Sequence, residues 1–302
     1  MSSLTLAEAN PISHVINHLW IEIDGWWIWS SIQTNLVLSG IILVLGGLFV
    51  AKAVSTGADD DGHYRWVTKS RFAHMVEVIC SYLRTNTVEP LLHERTNKFM
   101  PFLWTVFFFI LINNLLGLIP LLDMHNIIAG SIAPDVVDSH RAFVGGTATQ
   151  SIYVTGALAL IAGLVINFAG IRELGVGGYI KHLTAEAPIF VWPIIIPIEI
   201  MGTFIKPIAL AIRLFANMTA GHILVAVLLG FAAGGFTKLD IIGLPVGIIS
   251  SVAVIAIYFL ELFVAFLQAF VFMFLTTVFI SLLAHHGDHD HDHAHEGQPA
   301  HA

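Results

Sequence analysis

Runs of apolar residues, each long enough to cross a membrane as a helix, constrain this chain more than any other feature. A hydrocarbon core about 30 Å thick is spanned by about 20 helical residues, and only helices or closed barrels satisfy every backbone group there. Residues 34–53, 101–122 and 149–171 form three such runs. Two more, 188–231 and 241–284, are about twice as long. At 1.5 Å per residue the fourth would reach about 60 Å, so it must be tilted, bent or broken. Pro193, Pro197 and Pro207 offer places for that. The chain is 56% apolar and 11% charged, against about 25% charged in soluble domains. The predicted fold is all-α and polytopic, with five membrane-embedded helices. The last two are joined by the short Gly-rich connection 232–240 into a long tilted hairpin.

The remaining segments read as surface. Residues 1–32 contain no Lys or Arg but hold Trp20, Trp26, Trp27 and Trp29, and Trp favours the membrane–water interface. That stretch is expected to be an amphipathic segment lying on the membrane; a pair of metal ligands is the alternative reading of His14 and His18. Residues 55–69 form a polar loop whose three aspartates lack the downstream glutamate of a calcium loop. Residues 70–95 spread Arg71, His74, Glu77, Arg84 and Glu89 through a helical pattern, predicting an amphipathic surface helix. Residues 123–148 are a polar loop, and a Gly-rich, charged connection follows residue 171. The tail 285–302 carries seven of the sixteen histidines, interleaved with Asp, and is expected to be disordered; divalent-metal binding is the alternative reading. Cys80 is the single cysteine, which excludes an internal disulfide or a Cys-based zinc site.

Orientation follows from the basic residues. With the N-terminus outside, the inner loops hold Lys52, Arg65, Lys69, Arg71, Arg84, Arg95, Lys98, Arg172 and Lys181. The outer segments hold only Arg141 and Lys238. That is a positive-inside bias, and it puts the C-terminus in the cytoplasm. No cleavable leader is visible at the N-terminus, which suits a bacterial inner membrane.

Chemistry concentrates in the fourth run. Glu199, Lys206 and Arg213 are spaced by seven and so share one helical stripe, with Asn217 about one turn beyond. His222 follows. The last run carries Glu261 and Gln268, again seven apart. Charges at membrane depth cost about 3 kcal/mol each and mark function by default. A guanidinium keeps its charge at physiological pH, so Arg213 is a poor proton carrier and a good fixed charge, favouring the ionised form of any carboxylate it meets. Glu199, His222 and Glu261 can take up and release protons. Along the predicted topology Glu199 lies on the inner side of Arg213 and His222 on the outer side. Glu261 then falls near His222, and Gln268 near Arg213.

Lys206-Pro207 and Arg213-Leu-Phe-Ala-Asn217-Met-Thr-Ala-Gly221-His222 resemble subunit a of the F-type ATP synthase. Leu267-Gln268-Ala-Phe270-Val-Phe272 matches that family's second signature, and Asn113-Asn114-Leu-Leu-Gly117-Leu-Ile-Pro120 its Asn-Leu-Gly-Leu-Pro span. The resemblance covers roughly residues 33–284. It implies a proton-translocating stator subunit beside a rotating ring of c subunits, with two aqueous half-channels and peripheral-stalk b subunits as further partners. Arg213 would be the charge facing the ring. Asn217, His222, Glu261 and Gln268 would line the outer half-channel and Glu199 the inner one; Lys206 is a secondary candidate. His222 and Glu261 would meet as a pair. No cofactor, metal or nucleic acid is implied, and the chain has no P-loop, so ATP chemistry would lie elsewhere in the complex.

Two rivals predict different things. A self-contained secondary transporter or antiporter would also use midplane charges and interrupted helices, but it predicts an inverted repeat, which the sequence does not display. An inert scaffold would not need three charges on one stripe.

Overall fold

A computed structural model describes residues 19–23, 26–54, 68, 70–119, 148–183, 189–238 and 240–295. Apart from one hairpin, every described element is helical. Strands β1 (Leu19–Ile23) and β2 (Trp26–Ser30) pair antiparallel, with Glu22 opposite Trp27 and Ile23 opposite Trp26. The Trp-rich segment expected to lie along the membrane is therefore, over these residues, an extended ribbon. The helices are α1 (Ser31–Val54), α2 (Arg71–Tyr82), α3 (Glu89–Leu92), α4 (Thr96–Leu118), α5 (Ile152–Leu183), α6 (Trp192–Lys238) and α7 (Gly243–His295). Among the described residues, Ser31–Val54, Arg71–Leu118, Ala211–Thr237 and Gly243–Ser281 are long and apolar enough to cross a membrane; Ile152–Phe168 is a shorter apolar helix.

The chain divides into two compact units. The first comprises Met1–Leu45, Phe108–Thr155 and Ile212–Ala269. Its entry is set locally. Gln33 Oε1 accepts from the Ser30 amide at 2.9 Å, half of a capping box at the start of α1, and Trp29 Nε1 donates to Thr34 Oγ1 at 2.7 Å. Along α1 the buried residues are Ser31, Thr34, Asn35 and Ser39, while Val37, Ile41, Val44 and Leu45 are exposed. Polar inside and apolar outside inverts the soluble pattern and suits a lipid solvent.

In the same unit α6 and α7 run antiparallel. Along α6, from Leu214 through Met218, Gly221, Val225, Leu228 and Ala232 to Gly235, steps of four and three alternate, and none of these residues is exposed. Along α7, Gly243, Gly247, Ser250, Val254, Ile257, Glu261, Ala265 and Gln268 are likewise unexposed and follow in steps of four and three, with two fours in succession around Glu261. This is the heptad seam of an antiparallel helix pair. Its end near the connection closes glycine on glycine. A Cβ on Gly235 would stand 2.5 Å from the Gly247 nitrogen and 2.6 Å from the Gly243 oxygen, so only a residue with no side chain allows the two backbones to touch. Asp240 Oδ1 accepts from the Gly243 amide at 2.5 Å and caps the first turn of α7.

The second unit comprises Gly46–Phe107, Gly156–Ala211 and Phe270–Ala302. The amphipathic helix expected over 70–95 begins as α2, where Phe72, Met75, Val78 and Tyr82 form an exposed apolar stripe. It then loosens into a π turn (Leu83–Val88), α3 and a 3-10 turn (His93–Arg95) before α4. His93 takes a positive φ of 46° there. Ser281 Oγ donates to the Leu91 carbonyl at 2.7 Å, tying α7 to α3. Past the expected end at 171 the helical backbone of α5 kinks at Gly175 (φ 69°), and a second helical piece continues to Leu183. α7 runs past 284 to His295, so the tail expected to be disordered begins as helix. The loops 55–67 and 121–147, His14, His18 and residues 296–302 lie outside the described residues.

Candidate functional site

The polar residues of the first unit gather on the α6–α7 hairpin. Glu261 occupies a seam position of α7 and is 7% exposed; Gln268, two turns on, is 0% exposed. Heptad spacing keeps both on the buried face. The Glu261 carboxyl lies over Gly221: a Cβ there would stand 3.0 Å from Glu261 Cδ and 3.1 Å from Cγ, and closer still to Oε1. Gly221 immediately precedes His222, which is half-buried. The structure thus brings the Glu261 side chain to the residue adjoining its expected partner.

Gln268 meets α6 through Asn217, whose Nδ2 donates to Gln268 Oε1 in a long bond of 3.4 Å. Asn217 stands one turn beyond Arg213. Arg213 itself flanks the seam beside buried Leu214 and is exposed. Among the described residues no carboxylate lies within ion-pair distance of it. Glu199 and Lys206 lie on α6 within the other unit, and their side chains are outside the described residues.

Two features of the site have no signature in the spacing of charges. One is Gly221, which stands in the Arg213–His222 signature but carries no charge or polar group of its own. The other is a group of buried polar atoms with no hydrogen-bond partner among the described residues: Glu261 Oε2, Gln268 Nε2 and Thr219 Oγ1. Buried polar atoms are almost always bonded, so each of these is chemically available. A carboxyl group, an amide and a hydroxyl can each exchange hydrogen bonds with a passing donor or acceptor. An exposed, permanently charged guanidinium flanks the same hairpin.

Comparison with known proteins gives the family. The chain matches the ATP synthase A chain family over residues 35–281. It is 37% identical to ATP synthase subunit a of Chloroherpeton thalassium over 242 residues, 79% of this chain and 64% of that protein. It is 39% identical to ATP synthase subunit a of Myxococcus xanthus over 240 residues, 78% of this chain and 69% of that one. ATP synthase subunit a 2 of Chlorobaculum tepidum is 42% identical over 219 residues, 72% and 54% of the two chains. The matched region thus spans between 54% and 69% of these curated relatives. A match over most of the chain, which takes in the helices that carry the site, makes this protein a member of the ATP synthase A chain family.

Proposed function

We propose that this chain is the membrane-embedded stator subunit through which protons cross in an F-type ATP synthase, working against a rotating c-subunit ring. The observation that carries the reading is a single hairpin holding a buried carboxyl, Glu261, in its seam and an exposed guanidinium, Arg213, on its flank with no ion pair among the described residues. A proton from the outer side binds at Glu261 and His222, in the neighbourhood of Asn217 and Gln268. It passes to a carboxylate on the ring, which becomes a neutral acid able to turn into lipid. When a ring carboxyl next meets Arg213, the fixed positive charge favours its ionised form, and the proton leaves toward Glu199 on the inner side. Because Arg213 cannot release its own proton, it also blocks a direct leak between the two half-channels. Lys206 is a secondary participant on the inner side.

The ring, the peripheral-stalk b subunits and the rest of the complex are the partners this role requires. The setting is a bacterial inner membrane, with the N-terminus outside and the C-terminus in the cytoplasm. ATP chemistry belongs to other subunits.

The test is ATP-driven proton pumping and passive proton leak in inverted vesicles carrying the Arg213→Ala complex or the parent. Pumping should vanish while the complex still assembles, and the leak should rise. Unchanged pumping would overturn the reading. Proton transport by the chain without a ring would point instead to a self-contained transporter.

A further inference from the structure

A second buried polar cluster in the first unit has no part in the proton path just described. Asn114 of α4 is 0% exposed and both ends of its amide are engaged. Its Nδ2 donates to the Ala265 carbonyl at 3.3 Å, and its Oδ1 accepts from Thr149 Oγ1, also fully buried, at 2.9 Å. Ala265 lies on α7 one turn after Glu261 and three residues before Gln268. Its carbonyl sits mid-helix, where the amide four residues on already supplies a donor. The second lone pair therefore takes a bond that the helix does not need.

What the bond supplies is direction. Apart from the long Asn217–Gln268 bond, the heptad seam brings the right residues inward by apolar contacts that are non-directional, whereas a hydrogen bond weakens steeply when misaligned. A side-chain tip about 6 Å from a helix axis moves about 1 Å for each 10° of rotation, enough to uncouple a proton donor from its acceptor.

We infer that Asn114, held in orientation by Thr149, is a positioning residue that fixes the rotation of α7 and hence the placement of Glu261 and Gln268. This rests on the proton-transfer reading above. Loss of Thr149 Oγ1 leaves Asn114 Oδ1 buried and unbonded, so the amide is free to turn and its hold on Ala265 is lost. The two side chains act as one device.

The experiment measures ATP-driven pumping per assembled complex in inverted vesicles for Asn114→Ala, Thr149→Val, Thr149→Ser and the Asn114→Ala/Thr149→Val pair, with Arg213→Ala alongside. Asn114→Ala and Thr149→Val should each lower pumping per complex by about tenfold or more. Thr149→Ser keeps the hydroxyl and should pump like the parent. The pair should be no worse than Asn114→Ala alone, because members of one unit are not additive. The inference is overturned if Thr149→Val pumps like the parent, if Thr149→Ser falls as far as Thr149→Val, or if losses in the pair multiply. Thr149→Val is nearly isosteric and decides the matter should Asn114→Ala not assemble. If neither assembles while Thr149→Ser does, the cluster serves folding and the inference fails. Pumping by Arg213→Ala would instead sink the functional reading, whereas its loss beside normal pumping in the Asn114 and Thr149 variants sinks only the positioning role.

Discussion

Adding one methyl group at Gly221 should disable the site without dismantling the hairpin. In Gly221→Ala the new Cβ would stand 3.0 Å from Glu261 Cδ and 3.1 Å from Cγ, with Oε1 closer again. Carbon atoms prefer about 3.5–4.0 Å, so the carboxyl must retreat by about 0.5–1 Å. The obstacle is the end of a flexible side chain, so the two backbones can stay in place while Glu261 turns. The energetic cost of such an off-rotamer shift is about 0.5–1.5 kcal/mol, small for a folded membrane protein. The functional cost is larger, since a misplacement of about 1 Å in a reacting group is worth on the order of a hundredfold. The assay is ATP-driven pumping in inverted vesicles, normalised to assembled complex. Pumping per complex should fall about ten- to a hundredfold while the amount of complex stays near that of the parent. Adding Glu261→Asp shortens the acid by one methylene, makes room for the methyl, and should return part of the lost activity relative to Gly221→Ala alone. Parental pumping in Gly221→Ala would refute the reasoning, because the packing of Glu261 on Gly221 would then have no bearing on proton movement.

Two further outcomes follow from the same hairpin. Gly235→Ala forces a methyl against the backbone of Gly243 and Gly247; such overpacking costs about 1–3 kcal/mol and should lower the thermal unfolding midpoint of the detergent-solubilised complex. Asp240→Ala removes the acceptor from the Gly243 amide and should cost about 0.5–2 kcal/mol, with Asp240→Asn close to neutral in the same melting experiment.

The apolar runs made the helices legible, because backbone satisfaction in lipid leaves few alternatives. Seven-residue spacing likewise foretold that Glu261 and Gln268 share one face of α7, and the seam has both on it. What the runs could not give were the ends. Helical backbone continues past residues 171 and 284 although the residues there are polar (Arg172-Glu173, and the His/Asp tract from 285), because a polar side chain marks a surface without ending a helix; α5 leaves helical geometry only at the Gly175 kink. In residues 19–30 the tryptophans speak for an interface, and the hairpin signal lies elsewhere, in Asp24-Gly25 between two short apolar runs. The Asn113-Asn114 pair could be placed inside a span, but not its partner. Asn114 reaches a carbonyl 151 residues away in sequence, and a backbone acceptor leaves no mark on residue identity. Gly221 was hidden for the opposite reason: what matters there is an atom that is missing.

The glycine contact at the connection makes the hairpin a lever. Gly235 lies fourteen residues from Gly221 along α6, and Gly247 fourteen from Glu261 along α7, about 21 Å of helix in each arm. With the fulcrum at the touching backbones, a splay of only about 3° would part Gly221 and Glu261 by about 1 Å. That is the displacement a methyl group imposes directly at the site. Under the proton-transfer reading proposed above, a centre built near the end of such arms inherits the stiffness of the turn, and a change made there would be felt at Glu261.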